Sequence, residues 1–195
     1  MGLTLVTAPV VEPLSLDEAK LHCKVELSVT DDDALISGLM LAVRQAAESE
    51  LRRALLTQTL RWTADAFPAS SDAVLHLPKP PLQSVSSVKY LDAAGVLQTL
   101  SAAKYVVDAI TQPGRLQLAV DQTWPTTQGV LNAVQIDFVA GWTSAANVPA
   151  AIRVGMKLWI GTLYRNRESV SPAVMSEIPD GVRRLWAPHR MLEFR

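Results

Sequence analysis

Cysteine is almost absent from this chain of 195 residues: Cys23 stands alone, so no internal disulfide and no multi-cysteine zinc site can form. That single thiol fits a reducing compartment. Long apolar runs are missing as well. The best candidate, LISGLMLAV from Leu35 to Val43, is about half of the roughly 18 residues a membrane span needs, and it is preceded by acids and followed by Arg44. It reads as one face of a helix, and no membrane partner is expected. The N-terminal MGLTLVTAPV has no basic region before its apolar residues, which argues against a signal peptide. Motifs of the common enzyme classes are missing too: there is no GxGxxG, no GxxxxGKS/T and no GxSxG. His76 and His189 belong to neither an HxxxH nor an HExxH pattern, so a zinc site has no support. No catalytic residue, cofactor or metal is expected.

What is present describes a globular chain. Hydrophobic residues make up 49% and charged residues 19%, which is enough for a packed core and excludes wholesale disorder. The net charge of -1 hides an asymmetry, because Met1 to Asn147 holds 10 basic against 15 acidic residues and Val148 to Arg195 holds 8 against 4. The C-terminal quarter is therefore basic, as suits an acidic partner surface or nucleic acid.

The periodicity changes twice along the chain. Ser15-Leu16-Asp17-Glu18 is a capping box that starts a short helix ending near Val25, with Leu16, Ala19 and Cys23 on one face. A longer helix follows Thr30 and the acids Asp31, Asp32 and Asp33, with Leu35, Ile36, Leu39, Met40 and Val43 at helical spacing as far as about Leu51. From Thr57 the pattern alternates. Strands are expected over Thr59–Ala64, Ala73–Leu77, Ser84–Leu91, Val96–Leu100, Tyr105–Ala109, Gly114–Leu118 and Ala133–Ala140, separated by turns at Asp92–Gly95 and Gln112–Gly114. Helical spacing returns at Val148-Pro149 through Ile152, Met156, Trp159, Ile160 and Leu163, then a loop over Glu168–Glu177, then a short helix, Val182–Trp186, stopped by Pro188. The expected class is α+β, a mainly α-helical core with an inserted small antiparallel β-module. Its parts are N-terminal helices over 1–55, the β-module over 57–142, C-terminal helices over 148–187 and a tail over 188–195. No internal repeat interrupts this single domain.

Three groups of residues invite a chemical reading. His22-Cys23 has the residue types of a nucleophilic pair, but neighbours on a helix point about 100° apart, so a core cysteine beside a rim histidine is the better reading. Asp31, Asp32 and Asp33 could hold a divalent cation for a metal-dependent hydrolase, although Leu35 and Ile36 stand where an EF-hand loop continues its ligands, which favours helix-capping acids. The C-terminal VRRLWAPHRMLEF combines Trp, Met, Leu and Phe with Arg183, Arg184 and Arg190, a mixture typical of protein interfaces. Folding back on the protein's own core and nucleic-acid binding through this basic region are the alternatives, the latter opposed by a pI of about 6.3. The run LPKPP, with Pro78, Pro80 and Pro81, reads either as an exposed polyproline ligand or as a rigid lead into a hairpin.

Taken in order, LTLVTAPVVEPLSLDEAKLHCKV, DDDALISGLMLAVRQAAESELRRALLTQTL, LPKPPLQSVSSVKYLDAAGV, Trp124-Pro125, FVAGWTSAANVPAAIRVGMKLWIGTLYRNRE and IPDGVRRLWAPHR resemble the head-tail connector, or neck adaptor, family of tailed bacteriophages over nearly the whole chain. The resemblance implies a structural virion protein made in the host bacterial cytoplasm and located in the neck, at the portal vertex. It implies a dodecameric ring below the portal, partners in the portal protein and the next neck, stopper or tail-completion protein, and a channel through which DNA passes without sequence recognition. It implies head completion rather than catalysis. It also implies a docking segment for the portal in Arg183, Arg184, Trp186, His189, Arg190, Met191, Leu192 and Phe194, and an extended lead into the hairpin for the proline run.

Overall fold

The Ser15 hydroxyl accepts the Glu18 amide at 3.1 Å and the Glu18 carboxylate accepts the Ser15 amide at 3.0 Å, so the expected capping box is complete. In the computed structural model, which describes residues 1–166 and 178–192, this box opens α1 (Leu16–Cys23). The helix stops short of Val25 because Lys24 turns left-handed, at φ 60°, and its amide bonds back to the Lys20 and Leu21 carbonyls.

Three further helices follow: α2 (Asp33–Leu51), α3 (Ala150–Arg165) and α4 (Asp180–Trp186). Their apolar faces meet in one cluster of buried side chains, with Ile36, Met40, Val43 and Leu51 from α2, Ile152, Met156, Trp159 and Ile160 from α3, and Val182 and Trp186 from α4. These helices form a compact unit of Val10–Leu56 with Trp142–Arg195. The short α4 is held by its last residue. Trp186 is only 1% exposed, its indole N–H donates to the Ile152 carbonyl at 3.2 Å, and its ring meets Trp159 edge to face at 6.0 Å. Gly155 makes this possible, since a Cβ there would overlap the Trp186 indole.

The second unit is Met1–Pro9 with Thr57–Gly141. Five antiparallel strands run in the order β1 (Gly2–Thr7), β2 (Gln58–Ala64), β8 (Val134–Ala140), β4 (Leu82–Leu91) and β5 (Leu97–Thr99). A three-stranded sheet orders β3 (Leu75–Leu77), β7 (Gly114–Leu118) and β6 (Tyr105–Asp108). Alternation works as expected in the central strands: every second residue of β2 and β8 is buried, and the register sets Leu60 opposite Phe138 and Trp62 opposite Ile136. On the other face Arg61 lies directly opposite Asp137 and donates two bonds to its carboxylate, at 2.7 and 2.9 Å. Those bonds hold the Asp137 carboxyl below its ordinary range.

All seven strands expected from the pattern are present, with ends displaced by at most two residues. Three expectations need correction. The described chain is 33% helix and 26% strand, so it is α+β without being mainly helical. The N-terminal stretch is not only helical, because Gly2–Thr7 forms β1 and pairs with β2. The β unit is thus more than an insertion over 57–142. The proline run is not extended either. Lys79 has φ 60° and the Pro80–Pro81 bond is cis, so LPKPP is a tight connection from β3 to β4, closed where the Pro81 carbonyl accepts the Gly141 amide at 2.8 Å.

Trp186→Ala is expected to destabilise the helical unit by about 3–5 kcal/mol, the cost of emptying a packed aromatic site. Gly155→Ala should also lower the unfolding midpoint, whereas Arg184→Ala on the exposed side of α4 should leave it nearly unchanged. Denaturant unfolding of the three variants checks this.

Candidate functional site

Two of the three acids at the start of α2, Asp32 and Asp33, are committed to the fold, while Asp31 is exposed. Asp33 pairs at 2.8 Å with Lys20, whose ammonium is 2% exposed and also donates to the Leu27 and Val29 carbonyls. Asp32 accepts the Tyr164 hydroxyl and makes no side-chain cap. The acids therefore anchor a lysine and a tyrosine rather than a cation. Among the described residues no group of three or more His, Cys, Asp or Glu could hold a metal ion. Lys20 was not legible as a core residue, since nothing in its local spacing announces the ring of carbonyls around it.

His22 and Cys23 diverge as helix geometry demands. The His22 ring lies over Gly161 of α3, where burial and the charges of Lys157 and Arg165 push its pKa down, while Cys23 packs against the helical core. His76 is exposed on β3 of the other unit.

The expected docking segment divides into an inner and an outer set. Trp186 is inside the core and offers no surface. His189 and Met191 are half-buried and are held through their backbones, the His189 carbonyl accepting the Arg53 guanidinium and the Met191 amide donating to the Leu51 carbonyl at 3.0 Å. Arg183, Arg184 and Arg190 are exposed, and Leu192 is 80% exposed. Phe194 lies outside the described residues. Trp186 is expected in the docking segment because the residue types of an interface are also those of a core. Its i+4 spacing from Val182, which shares its burial, was the signal that could have reversed the assignment. The small cavity between Glu50, Leu51, Arg183, Trp186, Ala187 and Arg190 has about 40 Å³, room for a water and nothing larger. Among the described residues the segment is thus a surface with three exposed arginines beside a water-sized cavity.

The β unit presents two further features. Phe67 stacks on Trp124 at 4.6 Å with Tyr90 edge-on to Phe67 at 5.8 Å, beside an open cavity of about 410 Å³ bordered by Pro68, Pro125 and Thr126. At the β6–β7 turn, Asp108 accepts the Thr111 hydroxyl at 2.6 Å, the Arg115 guanidinium at 2.6 and 3.0 Å, and the Ile110 and Thr111 amides at 2.9 and 3.1 Å. That carboxylate fastens a turn on which Ile110 stands 93% exposed. Neither feature was found in the sequence, because each joins residues distant in the chain or hides in a turn.

Surfaces and turns dominate this inventory, and no helix among the described residues is long and apolar enough to cross a membrane. No protein-family model matches it, and no curated protein matches it. Solved structures do. It is 23% identical to a chain in the neck of an empty GTA particle computed with C6 symmetry, with a TM-score of 0.81, covering 100% of this chain and 98% of that one. A chain in the virion of a native gene transfer agent (GTA) particle gives a TM-score of 0.78, and one in the neck of the native particle computed with C12 symmetry gives 0.77, each at 23% identity and the same coverage. The chain therefore has the fold of a component of these phage-like particles from end to end.

The Asp108 turn has a definite pH signature. Bonds from Thr111 and Arg115, ahead of those from the amides, hold this carboxyl far below its usual range. A depressed carboxylate keeps its bonds above the ordinary pKa of about 3.9 and loses them only as pH falls through the lowered value. The amide shifts of Ile110 and Thr111 should therefore stay flat by NMR from neutral pH to about pH 3. A midpoint near pH 4 would contradict the geometry.

Proposed function

We propose that this chain is a structural protein of the neck of a tailed, phage-like particle, a head-tail connector that forms a ring below the portal. The ring joins the DNA-filled capsid to the next neck or tail-completion protein and leaves a channel for DNA, which it does not read. One observation carries the reading: end-to-end similarity of fold to chains of necks computed with C6 and C12 symmetry. The reading includes a dodecameric ring at the portal vertex of the virion, no catalytic role and synthesis in the host bacterial cytoplasm, and the C12 symmetry of the similar neck supports its ring.

In this reading the C-terminal segment docks on the portal. Its anchored part, Trp186 with the His189 and Met191 backbones, sets where the segment leaves the helical unit. Its outward part, Arg183, Arg184, Arg190 and Leu192, supplies charge for an acidic portal surface and an apolar side chain for a groove, and Phe194 of the same docking segment lies outside the described residues. The test is the mass distribution of the purified protein alone and with its cognate portal, using the full chain and a chain ending before Pro188. The full chain should join the portal in a species of the portal's rotational symmetry, and the shortened chain should lose at least tenfold in affinity. Undiminished binding by the shortened chain would overturn the docking role. A monomer indifferent to the portal, with DNA affinity falling steeply in salt, would favour nucleic-acid binding through the same arginines.

A further inference from the structure

The open cavity of the β unit has about 410 Å³, within the roughly 300–1,000 Å³ of small-ligand sites. Its walls come from two loops, one after β2 and one after β7. Both are fastened. At their roots the Asp65 carboxylate accepts the Asn132 amide at 2.9 Å, and further along the second loop the Gln128 amide donates to the Leu91 carbonyl at 3.0 Å. On the first loop the Asp72 carbonyl accepts the Gln117 side-chain amide at 3.4 Å, and its own amide donates to the Ser70 hydroxyl at 3.2 Å. The chemistry of the walls is selective. Phe67, Pro68, Trp124 and Pro125 supply flat apolar rings. Ser71, Thr123, Thr126 and Thr127 supply hydroxyls that make no hydrogen bond among the described residues. No lining residue is charged. The indole nitrogen of Trp124 is buried and has no acceptor among the described residues, which is uncommon for a tryptophan N–H.

We propose that this cavity binds a neutral saccharide. A sugar ring has an apolar C–H face and a rim of hydroxyls that donate and accept at once. The aromatic and proline rings match the face. The serine and threonine hydroxyls, which also donate and accept, match the rim. A ligand oxygen gives the Trp124 N–H the acceptor it lacks within the chain. The uncharged walls set the class, because a phosphate, a nucleotide or a carboxylate would shed its hydration here without meeting a counter-charge. The competing ligand is a proline-rich extended peptide, which also favours aromatic walls. Its prolines carry no N–H, so it would use the donor side of the four hydroxyls and leave their acceptor side empty. A sugar uses both. The proposal stands on the β unit alone and does not depend on how the chain assembles.

Indole proton–nitrogen NMR signals test this on the full chain. The protein has five tryptophans, and Trp124→Phe, which keeps an aromatic ring against Phe67, identifies the Trp124 signal by its loss. Maltotriose, cellotriose and triacetylchitotriose are each added to about 20 mM, above the millimolar range of weak recognition, and an acetylated oligoproline amide is added in a parallel series. At least one trisaccharide should move the Trp124 signal to saturation, with an affinity that salt leaves unchanged. Thr126→Val should weaken that affinity at least threefold while its thermal transition matches that of the parent. Silence toward all three saccharides would overturn the proposal. A response to the oligoproline alone would overturn it in favour of an extended peptide. Saccharide binding that Thr126→Val and Thr123→Val both leave at full strength would place the ligand outside this cavity, and would overturn it as well.

Discussion

The helical unit depends on one indole. Trp186 ends a helix of seven residues, too short to persist on its own propensity. What holds it is tertiary: the ring fills the space that Gly155 leaves, meets Trp159 edge to face and gives its N–H to the Ile152 carbonyl. With α4 seated, the chain beyond it can run beside the C-terminal end of α2, where the Leu51 carbonyl and Arg53 hold Met191 and His189. The exposed arginines of this end are thus displayed from a rigid base. Without the tryptophan they would belong to a loose tail.

Buried charge does comparable work at the other end of the unit. Lys20 draws the chain between α1 and α2 around its ammonium, through two carbonyls and Asp33. Arg44 and Glu48 tie the segment before α1 and the Leu55 amide to the inner side of α2. Removing one member of such a set would leave a buried charge unpaired, at a cost of about 3–5 kcal/mol. One effect reaches the surface: with its charges turned inward, α2 presents an apolar outer face.

Much of the fold was legible in the residues because its rules are local. The Ser15–Glu18 box, the strict alternation in β2 and β8, and the 3.6-residue spacing of Ile36, Met40 and Val43 each report a structure formed by near neighbours. The losses have equally physical causes. Strand β1 is an edge strand with one partner, mostly exposed, so it lacks an inward-outward alternation, and it pairs with β2 more than fifty residues away. The proline run bends because Lys79 is left-handed, a choice that its side chain does not advertise. For the candidate site, the exposed arginines carry the residue types of an interface, while the burial of Trp186 depends on Gly155 and Ile152 in a different helix. The Phe67–Trp124 stack escaped notice for the same reason.

The central claim, a structural place between capsid and tail, is tested most directly by electron microscopy of the particles produced when the gene for this chain is deleted. The account predicts capsids and tails found apart, with filled capsids that lose their DNA, and their rejoining when the purified protein is added. Intact tailed particles that retain their DNA without this protein would contradict it.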